Sequence, residues 1–297
     1  MSVLFVVLLI ASLLLPSCAR HTPSPFAVPQ GIGERIDPAR TDPNVFFFEA
    51  FEDEGYANRF TRVNRPENRV LIEGDEVFDG KRSLRMWFRK GEHYGGNIRF
   101  QFAKAGMPEP EELYARYYIR FSENWQINKG AKFPGPAGTY GKGGWGGRRA
   151  NGENGWSARM GIAAPTLLEN GLQLYSYTYH ADMRKRSGDK YYWLKKSRGS
   201  IQLDRWYCIE TYVKMNTPGK HDGILRAWVD GELAMQNKNL RFRNIPELKV
   251  EQFWMNFYYN KRAPYDMYVT IDNVALSTHP IGPVREATAK PATSLTR

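Results

Sequence analysis

Cysteine is nearly absent from this chain: Cys18 and Cys208 are the two in 297 residues. Cys18 closes an apolar leader, so the mature domain keeps one thiol and no internal disulfide can staple it. Cys208 lies in a strand-like run and reads as a small core residue. No zinc-ligand cluster accompanies it, and no recognition-helix or RNA-binding signature occurs, which argues against nucleic acid as a partner. Helical periodicity is missing too: no segment carries a long 3.6-residue repeat, and residues 108–113 offer one short turn at most. The central strands also lack the alternating carboxylates of a retaining glycosidase, which needs an acidic pair about 5–5.5 Å apart. Hydrolysis is therefore disfavoured.

There is a single long apolar run, Val3 to Leu15. It is too short to span a bilayer comfortably and suits the core of a signal peptide. It ends in Leu15-Pro16-Ser17-Cys18, which resembles a bacterial lipobox, although no Lys or Arg precedes the run. The expectation is an exported chain, of the cell envelope or extracellular, that meets a membrane only through a lipid anchor on Cys18. Residues 1–17 are read as signal peptide. Residues 18–44, rich in Pro, Gly and polar residues, read as a tether. Residues 279–297 read as a disordered tail. The domain is then 45–278, about 230 residues, within the usual range for one β domain; it is read as a monomer.

Aromatic residues and positive charge are plentiful. The chain has 17 Tyr and 8 Trp, side chains suited to stacking on sugars while hydrogen-bonding at their edges. Lys and Arg number 42 against 31 Asp and Glu, a net charge of +11. Eleven Lys or Arg and four Asp or Glu fall between Tyr140 and Ser200, so that stretch carries +7. Such a field gathers polyanions. Strand signals recur from residue 97 to residue 276, with turn residues between them. Asp230-Gly231 is the clearest hairpin turn. In the strand Leu113 to Phe121, Tyr114, Arg116, Tyr118 and Arg120 share one face. Many short strands without helical alternation predict an all-β sandwich or jelly roll. Arg116 with Tyr118, Ser157 with Arg159, and Tyr175 with Tyr177 are expected on outward faces, as a floor for a saccharide groove.

These residue types match one chemistry. Elimination at a uronate removes the weakly acidic C5 proton, which requires the adjacent carboxylate to be neutralised as charge spreads onto it. A base takes the proton and an acid protonates the departing glycosidic oxygen. Tyr and Lys serve where neighbouring positive charge lowers their pKa values, and a metal is not obligatory. Lys132 stands in Lys132-Phe133-Pro134-Gly135. Ser157 and Arg159 share a strand face, and Tyr175, Tyr177 and Tyr179 share a face of the next strand. A hairpin would set those two strands side by side.

The order Tyr-x-Arg-Tyr-Tyr-Ile-Arg-Phe-Ser (114–122), Lys-Phe-Pro-Gly (132–135), Trp-Ser-Ala-Arg (156–159) and Tyr-Ser-Tyr (175–177) resembles polysaccharide lyase family 14. Its members include alginate and glucuronan lyases. The resemblance extends over most of Phe46 to Ser277. It implies a β-jelly roll, that is, a concanavalin A-like antiparallel sandwich, and β-elimination on an acidic polysaccharide without a required cofactor. The family's functional lysine, Ser-x-Arg pair and Tyr-x-Tyr pair fall on Lys132, Ser157, Arg159, Tyr175 and Tyr177. Ser157 and Arg159 would neutralise the carboxylate, while Lys132 and one tyrosine divide the base and acid work. Tyr179 competes with its neighbours, because Tyr-x-Tyr-x-Tyr leaves the register open. Where family members often carry His-Gly-Gly, this chain has Phe257-Tyr258-Tyr259-Asn260.

Other candidates are Arg116, Tyr118, Tyr179 and His93 as substrate-binding residues. The glycine-rich loop 135–155 has the character of a lid. Glu52, Asp53 and Glu54 with Asp272 offer hard oxygen ligands for a structural calcium. The alternative to an enzyme is a lectin-like module that binds acidic glycans without turnover, for which the Lys, Ser-x-Arg and tyrosine set is superfluous.

Overall fold

A computed structural model of the chain describes residues 35–126, 130–163, 171–193 and 200–286. The apolar leader, Cys18, residues 18–34 of the expected tether and 287–297 of the expected tail lie outside the described residues. In chain order the strands are β1 (Arg35–Ile36), β2 (Val45–Glu49), β3 (Arg62–Val63), β4 (Arg69–Ile72), β5 (Ser83–Phe88), β6 (Tyr94–Gln101) and β7 (Glu112–Phe121). They continue with β8 (Ala131–Lys132), β9 (Gly135–Gly138), β10 (Trp156–Ala163), β11 (Leu172–Tyr179), β12 (Asp189–Tyr192) and β13 (Ser200–Ile201). The last are β14 (Trp206–Lys214), β15 (Gly223–Val229), β16 (Glu232–Leu240), β17 (Gln252–Tyr259), β18 (Met267–Ser277) and β19 (Arg285–Glu286). The single α-helical turn described is Tyr56–Arg59. The turn allowed for at 108–113 is absent, and β7 begins at Glu112 instead.

Two antiparallel sheets result. The front sheet runs β12-β11-β10-β8-β17-β6-β3, with β9 bridging β10 and β17 and β13 beside β11. The back sheet runs β16-β15-β14-β7-β18-β5-β4, with β2 beside β18. This is the expected jelly roll. Its core follows from period-two alternation. Leu113, Ala115, Tyr117, Ile119 and Phe121 of β7 are buried, facing Ala158, Met160 and Ile162 of β10 and Phe253, Met255 and Phe257 of β17. Phe133 packs edge-on against Phe121, with ring centroids 5.0 Å apart, and Trp125 against Phe88 at 5.1 Å. Each such pair adds about 0.5–1.5 kcal/mol beyond its buried area. Phe133 anchored in the core forces its neighbour Lys132 to the opposite, outward side. Asp230 and Gly231 join β15 to β16 with φ of 50° and 82°, the positive pair that a tight hairpin turn demands.

The outer face of the back sheet is not a saccharide floor. Arg116 there is fully buried, its guanidinium paired with both carboxylate oxygens of Asp37 at 2.6 and 2.8 Å. Tyr118 stacks on Phe78 at 3.8 Å, and its hydroxyl accepts from the Val284 N–H at 2.6 Å. The assignment of Arg116 and Tyr118 to substrate is therefore corrected. The cause is cover from both ends of the described chain: β1 pairs with β19, and Glu210 accepts from the N–H groups of Ile281 and Gly282 at 2.9 and 2.8 Å. The folded body thus extends over 35–286, and residues 35–44 and 279–286 are integral to it rather than tether and tail. Cys208 lies under the same cover, in a cluster with Phe78, Tyr118, Trp206 and Val284; burial pushes its thiol up.

Three of the four acids considered as calcium ligands are engaged elsewhere. Glu52 accepts from the Lys81 N–H, Asp53 pairs with Arg59, and Asp272 is buried against Ser83 and Asn273. Among the described residues no three His, Cys, Asp or Glu side chains are grouped to hold a metal ion.

Candidate active site

The outward face of the front sheet carries a cleft of about 630 Å³. Antiparallel pairing fixes what meets there. Ser157 lies opposite Tyr179, Arg159 opposite Tyr177, and Gly161 opposite Tyr175. Gly161 also pairs with Lys132, and Lys132 with Tyr258. Cross-strand partners share a face, so the lysine, the Ser-x-Arg pair and the tyrosines do converge.

Their positions differ in detail. Lys132, Arg159, Tyr177 and Tyr179 line the cleft. Tyr175 does not. Its ring lies flat across Gly161, where an added Cβ would fall 2.3 Å from Cε2; only glycine admits that approach. Ser157 is fully buried, and its hydroxyl donates to the Gly144 carbonyl at 2.6 Å, so it fastens the glycine-rich loop instead of facing the cleft. Tyr179 has a similar second duty, accepting from the Gly147 N–H at 3.3 Å. The tip of that loop, Trp145 to Gly147, borders the cleft. Glu251 secures its base through the N–H groups of Thr139 and Tyr140, both at 2.8 Å. His93 lies with its ring parallel to that of Tyr258 at 6.1 Å, and is not among the residues that line the cleft.

Several cleft residues had not been singled out from the sequence: Arg99 on β6, and Trp254, Asn256 and Tyr258 on β17. The signal was present, since Phe253, Met255 and Phe257 point inward and their neighbours must point out. Asn260 had been noted only as a departure from the family pattern, yet its Oδ1 accepts from Lys132 Nζ at 2.7 Å. The loop around Arg186 and Ser187 completes the rim.

Electrostatically the cleft is one-sided. Among the described residues that line it, none is acidic. Arg159 is buried, donates to Asn256 Oδ1 at 2.7 Å and lies over the Trp254 ring at 4.5 Å. Its Nε has no hydrogen-bond partner, and no carboxylate is ion-paired with it among the described residues. Burial holds its pKa down to about 10, which leaves it charged at neutral pH. Burial, followed by the charges of Arg159 and Lys190, holds Lys132 down to about 8. The tyrosines move the other way. Burial pushes Tyr175 up to about 12 and raises Tyr177, which is also hydrogen-bonded to Tyr179. The expectation that positive charge would lower them is thus corrected: Arg159 does act in that direction, but desolvation outweighs it. A partly neutral amine therefore sits beside a firmly protonated phenol, with Lys132 Nζ 5.0 Å from the Tyr177 ring centre.

Residues 79–263 match the family model described as polysaccharide lyase 14. A search of curated proteins found no match. Among solved structures, the alginate lyase Aly36B is 19% identical with a TM-score of 0.61, over 85% of this chain and 98% of that one. A marine alginate lyase from Aplysia kurodai is 16% identical with a TM-score of 0.60, over 79% and 99% of the two chains. An endo-β-1,4-glucuronan lyase from the fungus Trichoderma reesei is also 16% identical, with a TM-score of 0.54 over 79% and 96%. At such identities the likeness is one of fold.

Proposed function

The chain belongs to the polysaccharide lyase 14 family, and we propose that it cleaves a uronate polymer of the alginate or glucuronan kind by β-elimination in this cleft. The observation that carries the reading is Arg159: among the described residues, a buried guanidinium with no carboxylate ion-paired to it, in a cleft that no acid lines. An unpaired buried charge costs several kcal/mol, and a bound uronate carboxylate would supply the missing partner. The Asn256 amide beside it offers a second donor to the same carboxylate.

With that carboxylate neutralised, the C5 proton becomes acidic enough to remove. Lys132 in its neutral form takes the proton, because its lowered pKa keeps a usable fraction of free amine near neutral pH. The electron pair released at C5 forms the C4–C5 double bond as the C4–oxygen bond breaks. Tyr177, held protonated, gives its proton to the departing oxygen. The products are a new reducing end and a chain that begins in an unsaturated uronate. Tyr179 and Ser157 act as positioning residues, on Tyr177 and on the glycine-rich loop that borders the cleft.

The test is ultraviolet absorbance of the protein incubated with alginate blocks, glucuronan, hyaluronan and heparan-type chains. An unsaturated-uronate band that grows with one polymer supports the reading. A flat trace with retention of the same polymers on an affinity gel would replace it with a non-catalytic glycan-binding module. Tyr177→Phe should lower kcat by about 10²–10⁴-fold, the usual worth of a positioned acid, while oligouronate affinity is preserved. Equal loss of both would remove Tyr177 from proton transfer.

A further inference from the structure

One row of residues crosses the front sheet at right angles to its strands. Lys190 pairs with Tyr177 and Tyr177 with Arg159. Gly135 comes next, so close that a Cβ on it would lie 2.6 Å from Arg159 Cα. Gly135 pairs with Trp254, and Trp254 with Arg99. Cross-strand neighbours share a face, so the row is continuous on the outward side. With strands about 4.8 Å apart it spans about 24 Å from Lys190 to Arg99. The bare Gly135 leaves room for the Arg159 side chain to reach Trp254.

The indole of Trp254 is thereby flanked by two guanidiniums, Arg159 at 4.5 Å and Arg99 at 4.9 Å. Arg99 resembles Arg159 in what it lacks: among the described residues no carboxylate is ion-paired with either. It also resembles Arg159 in how it is held. Arg159 donates to Asn256, and Arg99 Nε donates to Asn97 Oδ1 at 2.6 Å. The partner across from Arg99 on β3 is Arg62, a like charge that does not neutralise it.

From this repetition we propose that Arg99 is a second carboxylate anchor, which receives the uronate next to the one held on Arg159. The substrate then lies along the row, across the strands, and turnover requires two consecutive uronates. Such a requirement selects an uninterrupted polyuronate over polymers in which uronates alternate with neutral or amino sugars. The inference rests on the lyase reading above and narrows it.

The experiment compares wild type, Arg99→Gln and Arg99→Lys on a polyuronate and on the same polymer with graded fractions of its carboxyl groups reduced to alcohols. If two adjacent carboxylates are read, the wild-type rate at low substrate falls with the square of the fraction left, and that of Arg99→Gln falls in simple proportion. On the intact polymer Arg99→Gln should raise KM by about 10–100-fold, the worth of a charge-assisted hydrogen bond, and Arg99→Lys should restore part of it. An unchanged KM, or a wild-type rate simply proportional to the remaining carboxylates, overturns the proposal. Calorimetric binding of a tetrauronate to the same proteins separates the two readings. Binding that depends on Arg99 without any turnover removes the lyase and keeps the anchor. Turnover with binding indifferent to Arg99 removes the anchor alone.

Discussion

Replacing Asp37 by alanine isolates the charge beneath the back of the molecule. Both side chains of the Asp37–Arg116 pair are essentially inaccessible, at 1% and 0% exposure. Removing the carboxylate leaves Arg116 with only the carbonyls of Asn273 and Gly282, at 3.1 and 3.3 Å. The Ala39 N–H loses its acceptor at the same time, and Asn273 Nδ2 keeps only Asp79 of its two. Breaking one side of a buried ion pair costs about 3–5 kcal/mol. In a domain of this size that corresponds to a fall in Tm of about 6–20 °C. Arg116→Met in the same chain should recover most of the loss, because removing both charges removes the uncompensated one. Thermal denaturation followed by circular dichroism measures all three proteins. At 25 °C the single variant should keep its activity, since the cleft lies on the opposite sheet. A Tm within 2 °C of wild type, or a double variant no better than Asp37→Ala, would refute the reasoning.

Two further outcomes concern the cleft. The plot of kcat/KM against pH should rise about tenfold per unit up to about pH 8 and then level off: Lys132 is active when neutral, its pKa is held down to about 8, and Tyr177 stays protonated well above that. An Arg in place of Lys132 should leave no such limb to measure. Arg159→Lys keeps the charge but loses the planar fork, and should lower kcat/KM by about 10²–10³-fold; steady-state kinetics on short oligouronates would show it, and a loss under fivefold would contradict the role given to the guanidinium.

Alternation carried much of this architecture into the sequence. A residue pair such as Ser157 and Arg159, two apart in a strand, had to share a face, and the jelly roll could be read from strands without helices between them. Alternation does not say which outward face stays open. Arg116 and Arg159 look alike locally, each on a strand with core residues on either side. One is roofed by segments more than sixty residues away in the chain, Asp37 and Gly282, while the other opens to a cleft. The same limit hid Arg99 and Trp254, whose partners sit across strands contributed by three other parts of the chain. Choosing among three equally spaced tyrosines depended on something smaller still: the missing side chain of Gly161, which lets Tyr175 lie down and leaves Tyr177 at the site.

The pairing of β1 with β19 brings Arg35 beside Glu286, on the side of the sandwich away from the cleft. Anything attached at either end of the folded body, whether a fusion partner, a bead or a surface, therefore leaves from a single spot at the rear. A molecule held there turns about one pivot with its cleft facing outward, and an immobilised preparation should reach a long, dissolved polymer as freely as an unattached one.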